Sequence, residues 1–214
     1  MNLKRITAVV LLALYAICLS SCSSASGFTR AGVVKVAKTH GMAAVESNGD
    51  VRSLMSILDS SKVSSYYVSK NMTDAQSIYD LYLNADGDYP ICDVNDVVIL
   101  RTVDKRLKEN DDGANINEDN GVLIFVSLNS ELSAEKLYES LVKALLSDKT
   151  PVRGKKNGYS YAVSSSYIDN GKDKTGIYLK GKNIITIEGL SFGKGDYFGD
   201  YVFRELGILD PGEV

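Results

Sequence analysis

The chain of 214 residues has no tryptophan, one histidine and three cysteines. A serine–histidine or cysteine–histidine catalytic pair would therefore have to use His40. That residue directly precedes Gly41 at the end of a predicted helix, where histidine commonly interacts with the helix dipole. Motifs of zinc proteases, α/β-hydrolases, dinucleotide-binding folds and P-loops are absent. The sequence thus predicts no catalytic residue, no metal centre and no cofactor.

Long hydrophobic runs are also scarce. The main one, AVVLLALYAICL, covers residues 8–19, which is too short for a membrane span of about 20 apolar residues. Lys4 and Arg5 precede it without any acidic residue, and the small Ser20 and Ser21 follow it. A basic start, an apolar segment of this length and a small-residue cleavage site indicate a secretory signal peptide.

Leu19-Ser20-Ser21-Cys22 resembles the lipobox of bacterial lipoproteins, in which an aliphatic residue and two small residues precede a cysteine. The resemblance implies that the Cys22 thiol receives a diacylglyceryl group and becomes the first residue of the mature chain. We therefore expect a signal peptide at 1–21, a lipidated cysteine with a flexible tether at 22–28, and a domain at 29–214. The protein would be anchored on the extracytoplasmic side of the cell membrane or outer membrane, because two acyl chains give stable anchoring.

The fates of the cysteines exclude an internal disulfide. On this expectation Cys18 is removed with the signal peptide and Cys22 carries lipid. Cys92 is left alone in an acidic loop, whose negative neighbours we expect to raise its pKa. Removal of Lys4 and Arg5 lowers the basic residues from 24 to 22 against 27 acidic ones, so the net charge falls from −3 to −5. A chain this acidic lacks the basic face that nucleic-acid binding requires, so we expect no nucleic-acid partner.

Hydrophobic periodicity predicts helices and strands that do not alternate strictly. Helices are expected at 29–41, 49–61, 72–84, 133–147 and 196–207. Their expected N-caps include Thr29, either Thr73 or Asp74, and Ser133, and the fourth helix has an apolar stripe of Leu137, Leu141 and Leu145. Strands are expected at 64–70, 96–103, 121–128, 159–167 and 175–190, the last being a hairpin that turns at Gly181-Lys182 or Lys182-Asn183. The strand GVLIFVSL (121–128) is apolar on both faces, so we expect it at the centre of the sheet. The run of strands near the C-terminus favours an α+β fold with a mainly antiparallel sheet and helices packed on one face. An irregular acidic stretch at 84–120, interrupted by one strand, marks a candidate subdivision.

Two of the predicted helices resemble each other. Ala75, Ile78, Tyr79 and Asp80 match Ala134, Leu137, Tyr138 and Glu139 at a constant offset. This similarity fits two α+β halves built from similar units. It also fits two unrelated amphipathic helices that each follow a strand.

The stretch NADGDYPICDVND has the partial spacing of a calcium loop, with Asn84, Asp86 and Asp88 at positions 1, 3 and 5. The pattern fails at position 6, where Tyr89 replaces the required glycine, and at position 12, where Asn95 replaces a bidentate carboxylate. A solvated acidic loop is the simpler interpretation, and a weak calcium site remains the alternative.

Tyrosine is enriched in the predicted strand YSYAVSSSY. Because side chains alternate along a strand, Tyr159, Tyr161, Val163 and Tyr167 share one face. The tyrosines form a candidate binding face for a glycan or an envelope protein. The alternative is that Tyr159, Tyr161 and Val163 face the helices as core residues. The opposite face of small serine and alanine side chains is then open, although a helix or partner could approach it closely.

We expect a membrane-anchored extracytoplasmic module that binds or scaffolds a component of the cell envelope without catalysis. Two alternatives remain open. One is an envelope hydrolase that uses paired carboxylates, since such pairs need no histidine. The other is a structural subunit of a surface assembly.

Overall fold

A computed structural model describes residues 28–46, 54, 56–58, 63–84, 86–108, 115–168, 171–192 and 198–214. The described helices and strands are, in chain order, α1 (Arg30–Thr39), β1 (Ala43–Ala44), β2 (Ser65–Val68), α2 (Met72–Ile78), β3 (Val94–Lys108), β4 (Asn115–Leu128), α3 (Glu131–Leu145), β5 (Val152–Lys156), β6 (Tyr159–Ile168), β7 (Gly171–Lys180), β8 (Asn183–Phe192) and α4 (Phe198–Leu206). Helix α2 continues as a π-helical segment, Tyr79–Leu83. A 3₁₀ turn, Pro211–Glu213, lies near the C-terminus.

The eight strands form one sheet in the order β1-β2-β3-β4-β8-β7-β6-β5. Every neighbouring pair is antiparallel except β1 and β2. The strands before residues 84–120 and the strands after them belong to this one sheet, joined through β3 and β4. The predicted α+β class with a mainly antiparallel sheet is confirmed, and GVLIFVSL occupies the predicted central position as part of β4.

Helices cover both faces of the sheet, so the prediction that they pack on one face is wrong. Helices α2 and α3 cover one face, and α1 and α4 cover the other. The reason lies in β4, where Leu123 and Phe125 point to the α1–α4 face while Ile124 and Val126 point to the α2–α3 face. A strand that is apolar on both faces has to be covered twice.

The α1–α4 face has an aromatic core. Phe28 stacks on Tyr159 with ring centroids 5.4 Å apart, and Tyr159 meets Tyr178 edge-on at 6.0 Å. Tyr178 in turn lies 6.4 Å from Phe203 of α4. The hydroxyl of the fully buried Tyr178 donates a hydrogen bond to the Leu209 carbonyl at 2.6 Å, which connects the C-terminal segment to β7.

A buried ion pair holds the same C-terminal segment. Lys174 of β7 contacts Asp210 with its Nζ 2.8 Å from Oδ2, and both side chains are largely removed from solvent. The other carboxylate oxygen of Asp210 accepts from the Gly212 amide at 2.7 Å. Hydrogen bonds at each carboxylate oxygen offset the cost of burying this charge.

The helix ends differ from the predicted ones by a few residues. Thr29 caps α1 as predicted, because its hydroxyl accepts from the Gly32 amide. The cap of α2 is Asn71 rather than Thr73 or Asp74. The cap of α3 is Ser130, whose hydroxyl accepts from the amide of the predicted cap, Ser133.

The β-hairpins are longer than the sequence suggested. Strands β3 and β4 stay paired from Val103↔Asn120 to Lys108↔Asn115. The acidic stretch at 84–120 therefore contains paired β-strands and is not only an irregular loop, because backbone hydrogen bonding does not require an apolar sequence. The second hairpin turns at Gly181-Lys182, between β7 and β8. Residues 109–114 lie outside the described residues.

The two similar helices both lie on the α2–α3 face. Ala75, Ile78 and Tyr79 are buried there, and so are their counterparts Ala134, Leu137 and Tyr138. A true repeat stays a prediction. The predicted helix at 49–61 is described only at residues 54 and 56–58, which are helical, and Leu54 and Leu58 are buried in the same core.

Candidate functional site

An apolar pocket of about 250 Å³ lies on the α2–α3 face, above β4 and β8. We name it the inter-helix pocket, because the π-helical segment and α3 form its two sides. Its lining is Tyr79, Leu83, Tyr89, Ile124, Val126, Leu137, Leu141, Leu145, Thr186 and Glu188. Most of these side chains are apolar or aromatic, and two polar groups on β8 face them. Such a lining is typical of small-molecule sites.

Helix α3 supplies one wall of the pocket. Leu137, Leu141 and Leu145 follow each other at intervals of four residues, so they lie along one side of the helix. This stripe was predicted from the sequence. Leu137 is fully buried against the sheet, whereas Leu145 is only half-buried and borders the pocket. One apolar stripe therefore serves both the core and the pocket.

The π-helical segment supplies the opposite wall. Tyr79 is buried at its first position, and its hydroxyl donates to the Pro90 carbonyl at 2.7 Å. Burial raises the pKa of Tyr79 well above its ordinary value, with further contributions from Cys92 and Asp80. Tyr79 therefore stays neutral and acts as a hydrogen-bond donor. π-helical turns are rare and frequently occur at functional sites.

The loop at 86–93 closes one end of the pocket with Tyr89. The Asn84 side chain makes two hydrogen bonds to the Tyr89 backbone, accepting from its amide at 2.8 Å and donating to its carbonyl at 3.2 Å. The Gln76 amide group holds the other end of the loop, since it donates to the Cys92 carbonyl and accepts from the Val94 amide. Side chains of α2 and its π-helical extension thus fix the loop across the pocket.

Glu188 places a carboxylate at the rim. It keeps contact with solvent, yet packing around it raises its pKa, with Asp173 adding to the shift and Lys149 opposing it. Within the described chain, no side chain or backbone amide donates a hydrogen bond to its carboxylate. Lys149 is bound elsewhere, 2.7 Å from Asp173 and 2.9 Å from the Thr175 hydroxyl. The rim therefore presents an unpaired carboxylate.

Sequence reasoning did not identify this pocket. Its residues are separated by more than a hundred positions and follow no motif. One signal was available: Glu188 is the single charged residue in the apolar strand NIITIEGL. A single charge in an otherwise apolar strand is uncommon, and in the structure Glu188 is exposed at the pocket rim rather than buried.

The structure does not assemble the calcium loop suggested by Asn84, Asp86 and Asp88. The oxygen of Asn84 is engaged by the Tyr89 amide, and both aspartates are exposed. Among the described residues, no three His, Cys, Asp or Glu side chains lie close enough together to hold a metal ion. The Asn84 side chain instead holds the loop through its two hydrogen bonds to the Tyr89 backbone, and we call this pair of bonds the Asn84 clamp. Calcium binding stays a prediction.

The tyrosine strand divides along its length. Tyr159 is buried, Tyr161 is half-buried over Gly154, and Tyr167 is 83% exposed. On the opposite, small face, Ala162 is fully buried in the core of the α2–α3 face, Ser160 and Ser164 are half-buried, and Ser166 is exposed. Small side chains allow a helix to approach closely, so the expectation of an open face fails at Ala162 and holds only at Ser166. Ligand binding by the tyrosines stays a prediction that rests on the exposed Tyr167.

His40 and Cys92 both serve the fold. His40 ends α1, lies 2.7 Å from Glu205 and stacks on Tyr201 at 3.7 Å. Cys92 is buried, and its pKa is raised mainly by burial, with Asp80 and Asp93 adding to the shift. The acidic neighbours were predicted to raise this pKa, and that direction is confirmed. A thiol of this kind is a poor nucleophile.

The edge strand β5 is exposed and basic. Arg153, Lys155 and Lys156 are all exposed along it. Charged side chains on an edge strand disfavour pairing with another sheet. The other edge, β1, contains only two residues. Both edges therefore give little support to assembly through added strands.

The predicted lipidation site, Cys22, lies outside the described residues, as does the signal peptide at 1–21. Within the part of the chain that is described, none of the helices combines the length and the apolar character needed to cross a membrane.

No protein-family model matches the sequence, and no curated protein matches it either. The fold is similar to the extracellular domain of PknH from Mycobacterium tuberculosis, with 9% sequence identity and a TM-score of 0.37. The likeness covers 76% of this chain and 91% of that chain. A similarity of this degree carries no inference about function.

Proposed function

We propose that this chain is a lipid-anchored module of the cell envelope that binds a small, mostly apolar ligand in the inter-helix pocket without converting it. The pocket carries the proposal. Its walls expose leucine, isoleucine, valine and tyrosine side chains in one concave surface, and apart from the tyrosine hydroxyls its polar side chains are Thr186 and Glu188 on β8. Covering that apolar surface with a ligand is favourable by about 25 cal/mol for each Å² removed from water.

The anchoring half of the proposal rests on Leu19-Ser20-Ser21-Cys22. Cys22→Ala removes the only thiol in that box, so the chain should incorporate no labelled fatty acid and should leave the membrane fraction or stay uncleaved. Cys92→Ala is the matched control, since it removes a thiol without touching the box. Continued labelling of Cys22→Ala would overturn the anchoring half.

The binding half is tested by filling the pocket. All described strands and both cores lie within residues 28–214, so a chain starting at Ser23 retains the whole described fold. 1-Octanol should raise the melting temperature of this chain. Leu145→Trp should abolish the rise, because an indole at that position occupies the pocket.

Leu132→Trp provides the control for this experiment. Leu132 lies on the same helix but is 62% exposed and does not border the pocket. This variant should respond to octanol as the unchanged chain does. An equal response of both tryptophan variants, or no response of the unchanged chain, would contradict the binding proposal.

A carboxylate-based hydrolase is the second candidate, and the rim favours it in one respect. Glu188 has a raised pKa, and Asp173 lies diagonally from it on the neighbouring strand, since Thr175 is the direct partner of Glu188. Two carboxylates with different environments can divide acid and base roles. Turnover of nitrophenyl glycosides that both Glu188→Gln and Asp173→Asn abolish would establish this alternative in place of the binding module.

A further inference from the structure

The chemistry at the rim of the inter-helix pocket restricts the kind of ligand that fits it. The interior offers apolar contacts and the buried hydroxyl of Thr186. The rim offers the Glu188 carboxylate. Lys149, the neighbouring cation, is already held by Asp173 and Thr175. The charge left without a direct partner at the mouth is therefore negative.

Resting on the function proposed above, we infer that the ligand is a small amphiphilic amine whose apolar body fills the inter-helix pocket and whose ammonium group binds the Glu188 carboxylate. Charge complementarity carries this inference. An ammonium group supplies the hydrogen-bond donors that a carboxylate accepts. At the rim, the N–H groups of the ammonium that do not contact Glu188 stay hydrated. A carboxylate headgroup would instead meet Glu188 and Asp173 with like charge, and a hydroxyl would leave the Glu188 charge uncompensated.

The surroundings of Glu188 agree with this choice. Packing against the rim disfavours its ionised form, and the groups that act on it are Asp173 on β7, Lys149 after α3, and Tyr89 on the loop. A bound cation favours the ionised form and lowers the pKa of Glu188 towards its ordinary value. Amine affinity should consequently increase as the pH rises from about 4 to about 7, because more of the free protein then carries the charge.

The test uses three eight-carbon probes that differ only in headgroup. Octylamine, 1-octanol and octanoate are titrated calorimetrically into the chain starting at Ser23 at neutral pH. Octylamine should bind about tenfold more tightly than octanol, because a hydrogen bond to a charged group contributes roughly that factor. Octanoate should bind more weakly than octanol.

Two variants identify the group responsible. Glu188→Gln is nearly the same size and should bind octylamine no better than octanol. Thr186→Val alters the other polar lining residue on β8 and should retain the preference for the amine. Circular dichroism confirms that both variants are folded.

The outcomes separate this inference from the proposed function. Equal affinities for the three probes, tightest binding of octanoate, or an amine preference that survives in Glu188→Gln would overturn the amine inference while the apolar pocket stands. Failure of all three probes to bind the unchanged chain would overturn both. A preference for the amine that disappears in Glu188→Gln supports both.

Discussion

The two faces of the sheet use the same strands for different purposes. On the α1–α4 face, the rings of Phe28, Tyr159, Tyr178 and Phe203 pack in sequence, and the Lys174–Asp210 pair fastens the C-terminal segment over them. On the α2–α3 face, the helices leave the inter-helix pocket open above β4 and β8.

This difference separates stability from binding. Aromatic side chains on the α1–α4 face bury large areas and pack the helices tightly on the sheet. The leucines of α3 border an open pocket, which leaves room for a ligand. Strands β4 and β8 serve both, since alternate residues along each strand face the two sides. A substitution should therefore affect stability or ligand binding according to the face on which it falls.

The largest expected effect is on the aromatic face. Tyr178→Ala removes a fully buried ring and should lower the free energy of unfolding by about 3–5 kcal/mol in urea denaturation. Tyr178→Phe keeps the ring, loses only the hydrogen bond to Leu209, and should cost about 1 kcal/mol. Leu145→Ala, beside the pocket, should cost less than Tyr178→Ala. The reverse order would mean that the pocket face holds the fold together.

The next effect concerns the Asn84 clamp. Asn84→Ala removes both hydrogen bonds to the Tyr89 backbone and should cost about 1–2 kcal/mol. Asp86→Ala is the control from the same loop, and it should change little because Asp86 is exposed. The melting temperature of the unchanged chain should not respond to millimolar calcium. A rise that both variants abolish would establish the calcium site instead of the clamp.

A smaller effect should appear in the pH dependence of stability. Because the pKa of Glu188 is raised in the folded chain, the folded state holds this proton more tightly than the unfolded state does. Its contribution to stability therefore falls as the pH rises above about 4.3, the ordinary pKa of glutamate. As the pH rises from about 4 to about 7, the melting temperature of Glu188→Gln should increase relative to that of the unchanged chain. A difference in melting temperature that stays constant over this pH range would show that the pKa of Glu188 is not shifted in the folded chain.

The smallest expected effect is that of reductant. In the chain that starts at Ser23, Cys92 is the single thiol, so dithiothreitol should leave the melting temperature of the monomer unchanged. A thiol reagent should modify Cys92 slowly in the folded chain and rapidly in urea, because burial protects it and raises its pKa. Rapid modification without urea would place Cys92 in an open environment.

Local patterns predicted most of the helices and strands, because amphipathic spacing and alternation are properties of short segments. Thr29, the leucines of α3 and the turn at Gly181-Lys182 illustrate this. The covering of both faces was not predicted, although GVLIFVSL is apolar on both sides and carried the signal for it. The expectation of an open small face failed at Ala162, because the sequence does not reveal which helix approaches a strand.

The site was far less predictable than the fold. Tyr79, Leu145 and Glu188 come from three distant segments, and only the sheet order brings them together. Asn84 was a candidate calcium ligand because of its spacing to Asp86, yet its side chain forms hydrogen bonds with the Tyr89 backbone. Side chains that bond to nearby backbone resemble metal ligands in sequence, because both roles use the same oxygen atoms.

One measurement tests the separation of the two faces most directly. The methyl groups of the chain starting at Ser23 are labelled with ¹³C, and 1-octanol is titrated while their NMR signals are recorded. We predict shifts at Ile124, Leu137 and Leu141 in the inter-helix pocket, with the signals of Ile185 and Ile187 on the α1–α4 face unmoved. Shifts of equal size on both faces, or none at the pocket methyl groups, would contradict the account.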